Sequence, residues 1–254
     1  MSMPQVLLVA AIVWVLLVLL VRLGVWPWLL RAPGGDALTG FLWRIARFYC
    51  RFWHRATYHN TAILPADDAD HDGLLVVANH TGALDPVLIQ SACGFIVRWM
   101  MAADMIGPNL AWLESHGFVI PVERDGRDSG PLRQTIRLIK AGGAIGLFPE
   151  GRITMPAGEL RPFMPGVGFI AAKAKVPILL VWISGTPETN KLGEAFKQRS
   201  RARVEFIDLI EPGEERDPAA IAERLRRRIA EVSGWPLNDE VLPPGGEAEA
   251  SEAA

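Results

Sequence analysis

Leu74-Leu-Val-Val-Ala-Asn-His80-Thr-Gly-Ala-Leu-Asp85-Pro86 is the stretch that decides the fold class of this 254-residue chain. Five apolar residues in a row follow the acidic turn 66–73 and read as a short buried strand, Leu74–Ala78. His80 stands just past the strand's C-terminal end, and Asp85 comes five positions later, where the next helix begins. In α/β sheets that end of a strand is where sites are built. One imidazole with a carboxylate in reach of its second nitrogen is the smallest general base: the carboxylate fixes the tautomer and stabilises the imidazolium. A histidine that merely caps the helix has the same spacing, so the pair alone leaves both readings open.

Further apolar runs lie on both sides. Strands are predicted at Leu74–Ala78, Phe95–Met101, Phe118–Val122, Ala144–Phe148, Pro177–Ile183 and Arg203–Ile207. Helices are predicted at Leu84–Cys93, Asp104–Ser115, Pro131–Ala141, Gly166–Lys175 and Pro218–Val232. Strand and helix alternate, which predicts an α/β domain over residues 66–235, its mixed, mostly parallel sheet flanked by helices. Residues 236–254 carry five acids and no base, and from Pro243 onward there is little to bury, so this tail is expected to be disordered.

The opposite end is basic and apolar. Val6–Val21 is an uncharged run of 16 residues, about 24 Å as a helix. Letting Arg22 snorkel and continuing through Trp26 and Trp28 to Leu30 reaches the ~30 Å needed to cross a bilayer. Residues 1–30 therefore read as a membrane anchor, with a cleaved leader fitting less well because no basic segment precedes the run. Residues 31–65 read as an amphipathic interface helix and linker. Between Leu38 and His59, Leu38, Phe41, Leu42, Ile45, Phe48, Tyr49, Phe52 and Trp53 recur at helical spacing, with Arg44, Arg47, Arg51 and Arg55 on another face. The first 60 residues hold six arginines against one acid, Asp36, which suits an anionic lipid surface. All six follow the apolar run and predict a body on the cytoplasmic side, with the chain single-pass or interfacial.

Several patterns carry nothing further. A pI near 6.2 argues against nucleic acid as a partner, and two cysteines exclude a disulfide scaffold. Asp68-x-Asp70-x-Asp72-Gly73 begins like a calcium loop, but its twelfth position is Asn79, so no metal is expected. Gly166-x-Gly168-x-x-Ala171 matches a dinucleotide fingerprint but follows a loop, so it reads as a close-packed helix start. Arg224, Arg226, Arg227 and Arg228 read as a solvated helix face.

Three more blocks lie at strand ends or begin strands. Phe148-Pro-Glu150-Gly151-Arg152-Ile-Thr154 brings a carboxylate and a guanidinium out together, either as a site or as a turn with a surface ion pair. Arg124 and Arg127 end another predicted strand and would suit a phosphate. Val176-Pro-Ile begins a buried strand.

Taken in order, the four blocks resemble the glycerolipid acyltransferase family, typified by bacterial 1-acylglycerol-3-phosphate acyltransferases. The resemblance covers roughly Leu74 to Thr186. It implies that His80 is the base and Asp85 its orienter, that Arg124, Glu150, Gly151 and Arg152 hold the acceptor's head group, and that the site faces the membrane. It also implies a lysophospholipid acceptor, most simply 1-acylglycerol-3-phosphate, giving phosphatidic acid. Acyl-CoA or acyl carrier protein would be the co-substrate, with no other cofactor. Two departures bear on the acceptor. Arg152 and Ile153 stand where the lysophosphatidate enzymes commonly have threonine and arginine, and Phe163-Met164-Pro165-Gly166 lacks their lysine. These features look more like members acting on other lysolipids, such as lysophosphatidylethanolamine or a lyso-aminolipid. Backbone N–H groups near the helix start after His80 are the expected oxyanion donors. A lipid hydrolase, disfavoured by the lack of a Gly-x-Ser-x-Gly elbow, and a non-catalytic lipid-binding membrane protein are the rival classes.

Overall fold

A computed structural model describes residues 2–67, 71–123 and 130–241. In chain order the helices are α1 (Met3–Leu20), α2 (Trp26–Leu30), α3 (Ala37–Phe52), α4 (Asp85–Gln90), α5 (Ala111–Ser115), α6 (Gly130–Lys140), α7 (Pro165–Ala174), α8 (Leu192–Ala195) and α9 (Pro218–Ser233). The strands are β1 (Thr57–His59), β2 (Leu74–Ala78), β3 (Val97–Ala102), β4 (Val119–Val122), β5 (Ala144–Leu147), β6 (Ile178–Ser184) and β7 (Arg203–Ile210). They form one sheet in the order β1-β7-β6-β2-β5-β3-β4, in which only the β6–β7 pair is antiparallel.

β2 sits at the middle of the sheet and is buried on both faces. Leu74, Val76 and Ala78 point into a core with Cys50 of α3 and Leu88 and Ile89 of α4. Leu75 and Val77 point the other way, into a core with Ile139 of α6, Ile170 of α7 and Leu225 of α9. Each buried Leu or Val side chain contributes about 1.5–3 kcal/mol, so β2 is the least movable element available to carry a site. Because β2 pairs with β5 in parallel, Val77 opposite Leu147, the two strands end side by side. That register brings position 80 to position 150.

Met3 to Leu30 forms one continuous helix, with a single π-helical stretch at Val21–Val25; by length and composition it is sufficient to cross a membrane, and none of its apolar window is buried. α3 then folds back across α2. A Cβ on Gly40 would fall 2.1 Å from the carbonyl oxygen of Leu29. The Arg44 guanidinium lies 3.6 Å over the Trp28 ring and donates to the Trp28 carbonyl. The Trp43 indole N–H donates to the carbonyls of Gln90 and Cys93, locking α3 on the body. The remaining apolar face of α3 (Leu38, Phe41, Ile45, Phe48 and Phe52) is exposed.

Some sequence expectations need correction. The amphipathic helix stops at Phe52, not His59: Arg55 takes a left-handed conformation and Thr57–His59 becomes the edge strand β1 beside β7. The helix expected over Asp104–Ser115 is a 3₁₀ turn at Ala103–Met105 and the short α5, interrupted around Pro108, which disfavours helical geometry at Gly107. Arg226 is not solvated; it is buried and ties Glu223, Asp239 and the carbonyls of Leu160 and Asn238 together. Leu237 bridges Leu160 in parallel, so the folded chain runs past the boundary expected at 236.

Gly168 is a close-packed helix residue: a Cβ there would meet the Pro218 carbonyl oxygen at 1.9 Å, where α7 crosses α9, whereas Gly166 has open space. Gly168→Ala is expected to lower stability by about 1–3 kcal/mol and Gly166→Ala by no more than about 0.5 kcal/mol in urea unfolding. Equal effects would contradict this packing.

Candidate active site

His80 leaves the sheet at the C-terminal end of β2, and the buried side chain of Asn79 makes that exit rigid. Its carboxamide accepts from the Ile183 N–H (2.8 Å) and donates to the Ile183 carbonyl (2.9 Å), continuing the β2–β6 ladder with a side chain. The backbone is thereby free to turn at His80. Thr81 and Gly82 form the loop, and Asp85 opens α4 with Pro86 behind it.

Asp85 has no solvent exposure. Its Oδ2 accepts from the N–H groups of Thr81 (2.6 Å) and Gly82 (3.0 Å) and from His80 Nδ1 (3.0 Å). The Thr81 hydroxyl lies 3.4 Å from both carboxylate oxygens and 2.9 Å from the Thr186 hydroxyl. A carboxylate can only accept from the imidazole, so Nδ1 carries the hydrogen and Nε2 is left with its lone pair. Nε2 makes no hydrogen bond among the described residues, and the side chain is 17% exposed. The imidazole is thus bonded to the Asp85 side chain and not to a backbone group of α4, the arrangement a general base requires.

Four residues expected at the site come together here: His80, Asp85, Glu150 and Gly151. Glu150 is buried at the end of β5, with one oxygen accepting from the His80 N–H (2.9 Å) and the other from the Thr154 hydroxyl. The Thr154 N–H in turn donates to the His80 carbonyl (2.8 Å). Both sides of the His80 peptide are therefore clasped by the turn that follows β5. Gly151 adopts φ +72°, and a Cβ there would meet the Met164 sulfur at 2.6 Å, so glycine lets the turn lie against that methionine. Arg152 follows, half-buried. Arg124 and Arg127 lie outside the described residues. Among the described residues no three His, Cys, Asp or Glu side chains gather closely enough to hold a metal ion.

Of the backbone N–H groups between His80 and the start of α4, four are engaged within the protein. The N–H groups of Thr81 and Gly82 bind Asp85, that of Ala83 binds the Thr189 carbonyl and that of Asp85 binds the Gly82 carbonyl. Thr154, Asn79 and the ring of Phe148, which stacks on His80, had no role assigned from sequence. Thr154 stands four positions after Glu150, but one threonine in a loop carries no signal by itself.

Burial raises the Glu150 carboxyl above its ordinary value, opposed by the hydrogen bonds from Thr154 and His80. Between the ordinary value near 4.5 and the raised folded value, the folded state holds more proton than the unfolded one, so stability falls as pH rises. Glu150→Gln removes this term. Its unfolding midpoint relative to wild type is expected to shift in the variant's favour as pH rises from about 4.5. A pH-independent difference would contradict the raised value.

Known proteins share this architecture. The Acyltransferase family matches residues 55–184. The chain is 27% identical over 188 residues to the 1-acyl-sn-glycerol-3-phosphate acyltransferase of Bacillus subtilis, covering 68% of this chain and 86% of that one. It is 30% identical over 132 residues to the chloroplastic enzyme of that name, BAT2, from Brassica napus, covering 51% of this chain but only 37% of the relative. The crystal structure of the 1-acyl-sn-glycerophosphate (LPA) acyltransferase PlsC from Thermotoga maritima superposes with a TM-score of 0.58 at 21% identity, over 78% of this chain and 83% of that one.

Proposed function

From the premise that this chain belongs to the glycerolipid acyltransferase family, we propose that it acylates the free hydroxyl of a lysophospholipid, 1-acylglycerol-3-phosphate before others, to give phosphatidic acid. The observation that carries the reading is the hydrogen-bonded His80–Asp85 pair at the end of a buried strand, its Nε2 free of hydrogen bonds among the described residues. The names of the relatives support the acceptor.

The reaction follows from the tautomer. Nε2 of His80 takes the proton of the acceptor hydroxyl as its oxygen attacks the carbonyl carbon of an acyl thioester. The carbon–sulfur bond of the tetrahedral intermediate then breaks. The imidazolium, held by Asp85 through Nδ1, returns the proton to the leaving thiolate, so ester and free thiol are the products. The thioester arrives activated, on CoA or on acyl carrier protein, and the step needs no covalent acyl-enzyme. Arg152 and Arg124 are assigned to the head group as charged donors suited to phosphate. The Arg152–Ile153 departure keeps another lysolipid as the second reading.

The membrane belongs to the same proposal. The unburied helix Met3–Leu30 anchors the chain, and the exposed stripe Leu38, Phe41, Ile45, Phe48 and Phe52 lies in the interface, with Arg47 and Arg51 exposed beside it toward anionic lipid. The catalytic domain then stands on the cytoplasmic side, where the acyl donors are.

The test is transfer from labelled acyl-CoA and acyl carrier protein to a panel of phosphorylated and neutral lysolipids, by wild type and His80→Ala. Wild type is expected to prefer the lysophosphatidate, and the variant to lose about 10²–10⁴-fold in turnover with folding unchanged. Fatty acid release without acceptor would favour a hydrolase. A variant within tenfold of wild type would exclude His80 as the base.

A further inference from the structure

Phe148 and Glu150 both touch His80, yet neither exchanges a proton with it in the proposed reaction. The Phe148 ring lies flat on the imidazole, with centroids 3.9 Å apart and planes at 12°. The indole of Trp99, on the neighbouring strand β3, stacks on Phe148 in turn, at 4.8 Å and 11°. Trp99 is buried over Gly146 of β5, where a Cβ would fall 2.6 Å from the indole Cε3. Three parallel rings thus run from the floor of the sheet to the base, and glycine at 146 makes the seat.

These contacts constrain what Asp85 leaves undetermined. A hydrogen bond at Nδ1 holds one point of the imidazole, and the ring can still swing about that point. A flat aromatic face at van der Waals distance removes the swing. The backbone is held independently: the Glu150 carboxylate takes the His80 N–H, and Thr154, which Glu150 also binds, donates to the His80 carbonyl. Both Glu150 oxygens are engaged inside the protein, which is the wrong disposition for a residue that must receive a head group.

We propose that Phe148 and Glu150 are positioning residues for His80, the phenyl ring setting the plane of the imidazole and the Glu150 carboxylate setting the peptide from which it hangs. The inference rests on the reading of His80 as the general base. It replaces the head-group role that family resemblance implies for Glu150. Misplacing a catalytic group by about an ångström can lower a rate by as much as ~10²-fold while leaving substrate binding alone.

Steady-state kinetics on Phe148→Leu, Phe148→Tyr, Glu150→Ala and Glu150→Gln, with His80→Ala as reference, provide the test. Phe148→Leu keeps bulk but loses the flat face; kcat is expected to fall about 10- to 100-fold, with KM for donor and acceptor little changed. Phe148→Tyr is expected to recover most of it. Glu150→Gln can still accept from the His80 N–H and can donate to the Thr154 hydroxyl, so it is expected to stay near wild type where Glu150→Ala falls with Phe148→Leu. An acceptor KM that rises while kcat holds would overturn the proposal. So would a Phe148→Tyr no better than Phe148→Leu, or a Glu150→Gln as poor as Glu150→Ala.

A measurement on the unmutated protein covers the case in which a variant fails to fold. The His80 ring protons, assigned by their loss in His80→Ala, are expected upfield of free imidazole because they lie over the phenyl face. Unshifted protons would overturn the stack. Should His80→Ala remain active, the base reading itself fails. If it is inactive while Phe148→Leu and Glu150→Ala keep full kcat, only the positioning inference fails.

Discussion

A carboxylate with no contact with water has to recover its lost hydration from hydrogen bonds, and Asp85 does so within five residues of chain. The N–H groups of Thr81 and Gly82 and the Nδ1–H of His80 all converge on one of its oxygens. Removing solvent from an ion costs several kcal/mol even after relaxation, so the loop 80–85 has little freedom to adopt any other shape. The consequences run outward. His80 is confined to one tautomer, its Nε2 is turned to the open side, and the N–H groups of Thr81 and Gly82 are taken up by Asp85. Asn79 and Thr186 then fasten the same loop to β6, and Glu150 with Thr154 fastens it to the turn after β5.

The sheet order explains why two motifs seventy residues apart make one site. β2 lies between β6 and β5, all three parallel, so their C-terminal ends open on one edge. β7 and the edge strand β1 run the other way, and they lie beyond β6, on the side away from β5 and the turn that clasps His80. On the flank formed by α3, the Gly40–Leu29 contact and the Arg44–Trp28 stack hold the long apolar helix at a fixed angle to the body. The long apolar helix is therefore geometrically part of the domain, which is what the proposed action on a lipid hydroxyl at a membrane surface would require.

What could be read from sequence follows the range of the interactions involved. β2 was legible to the residue because five consecutive apolar side chains have few alternative placements. His80 and Asp85 were legible because their contact is local. The end of α3 was not, since Arg55 in a left-handed conformation and the pairing of β1 with β7 depend on a strand 146 positions away. Arg226 looked solvated because its partners, Asp239 and two carbonyls, arrive from distant segments. Phe148 looked like the end of a strand, and only the β3–β5 pairing reveals that it lies between Trp99 and His80. Local chemistry was readable, and the support built by tertiary pairing was not.

Every step proposed for this protein passes through one atom, the Nε2 lone pair of His80. Long-range ¹H–¹⁵N correlation of the imidazole, in the full chain held in a lipid nanodisc and assigned against His80→Ala, reads that atom directly. The account predicts a proton on Nδ1, shared with Asp85, and an unprotonated Nε2 in the resting neutral ring. A neutral His80 carrying its proton on Nε2 would mean that the Asp85 contact is not what orients the base, and the general-base account would fall with it.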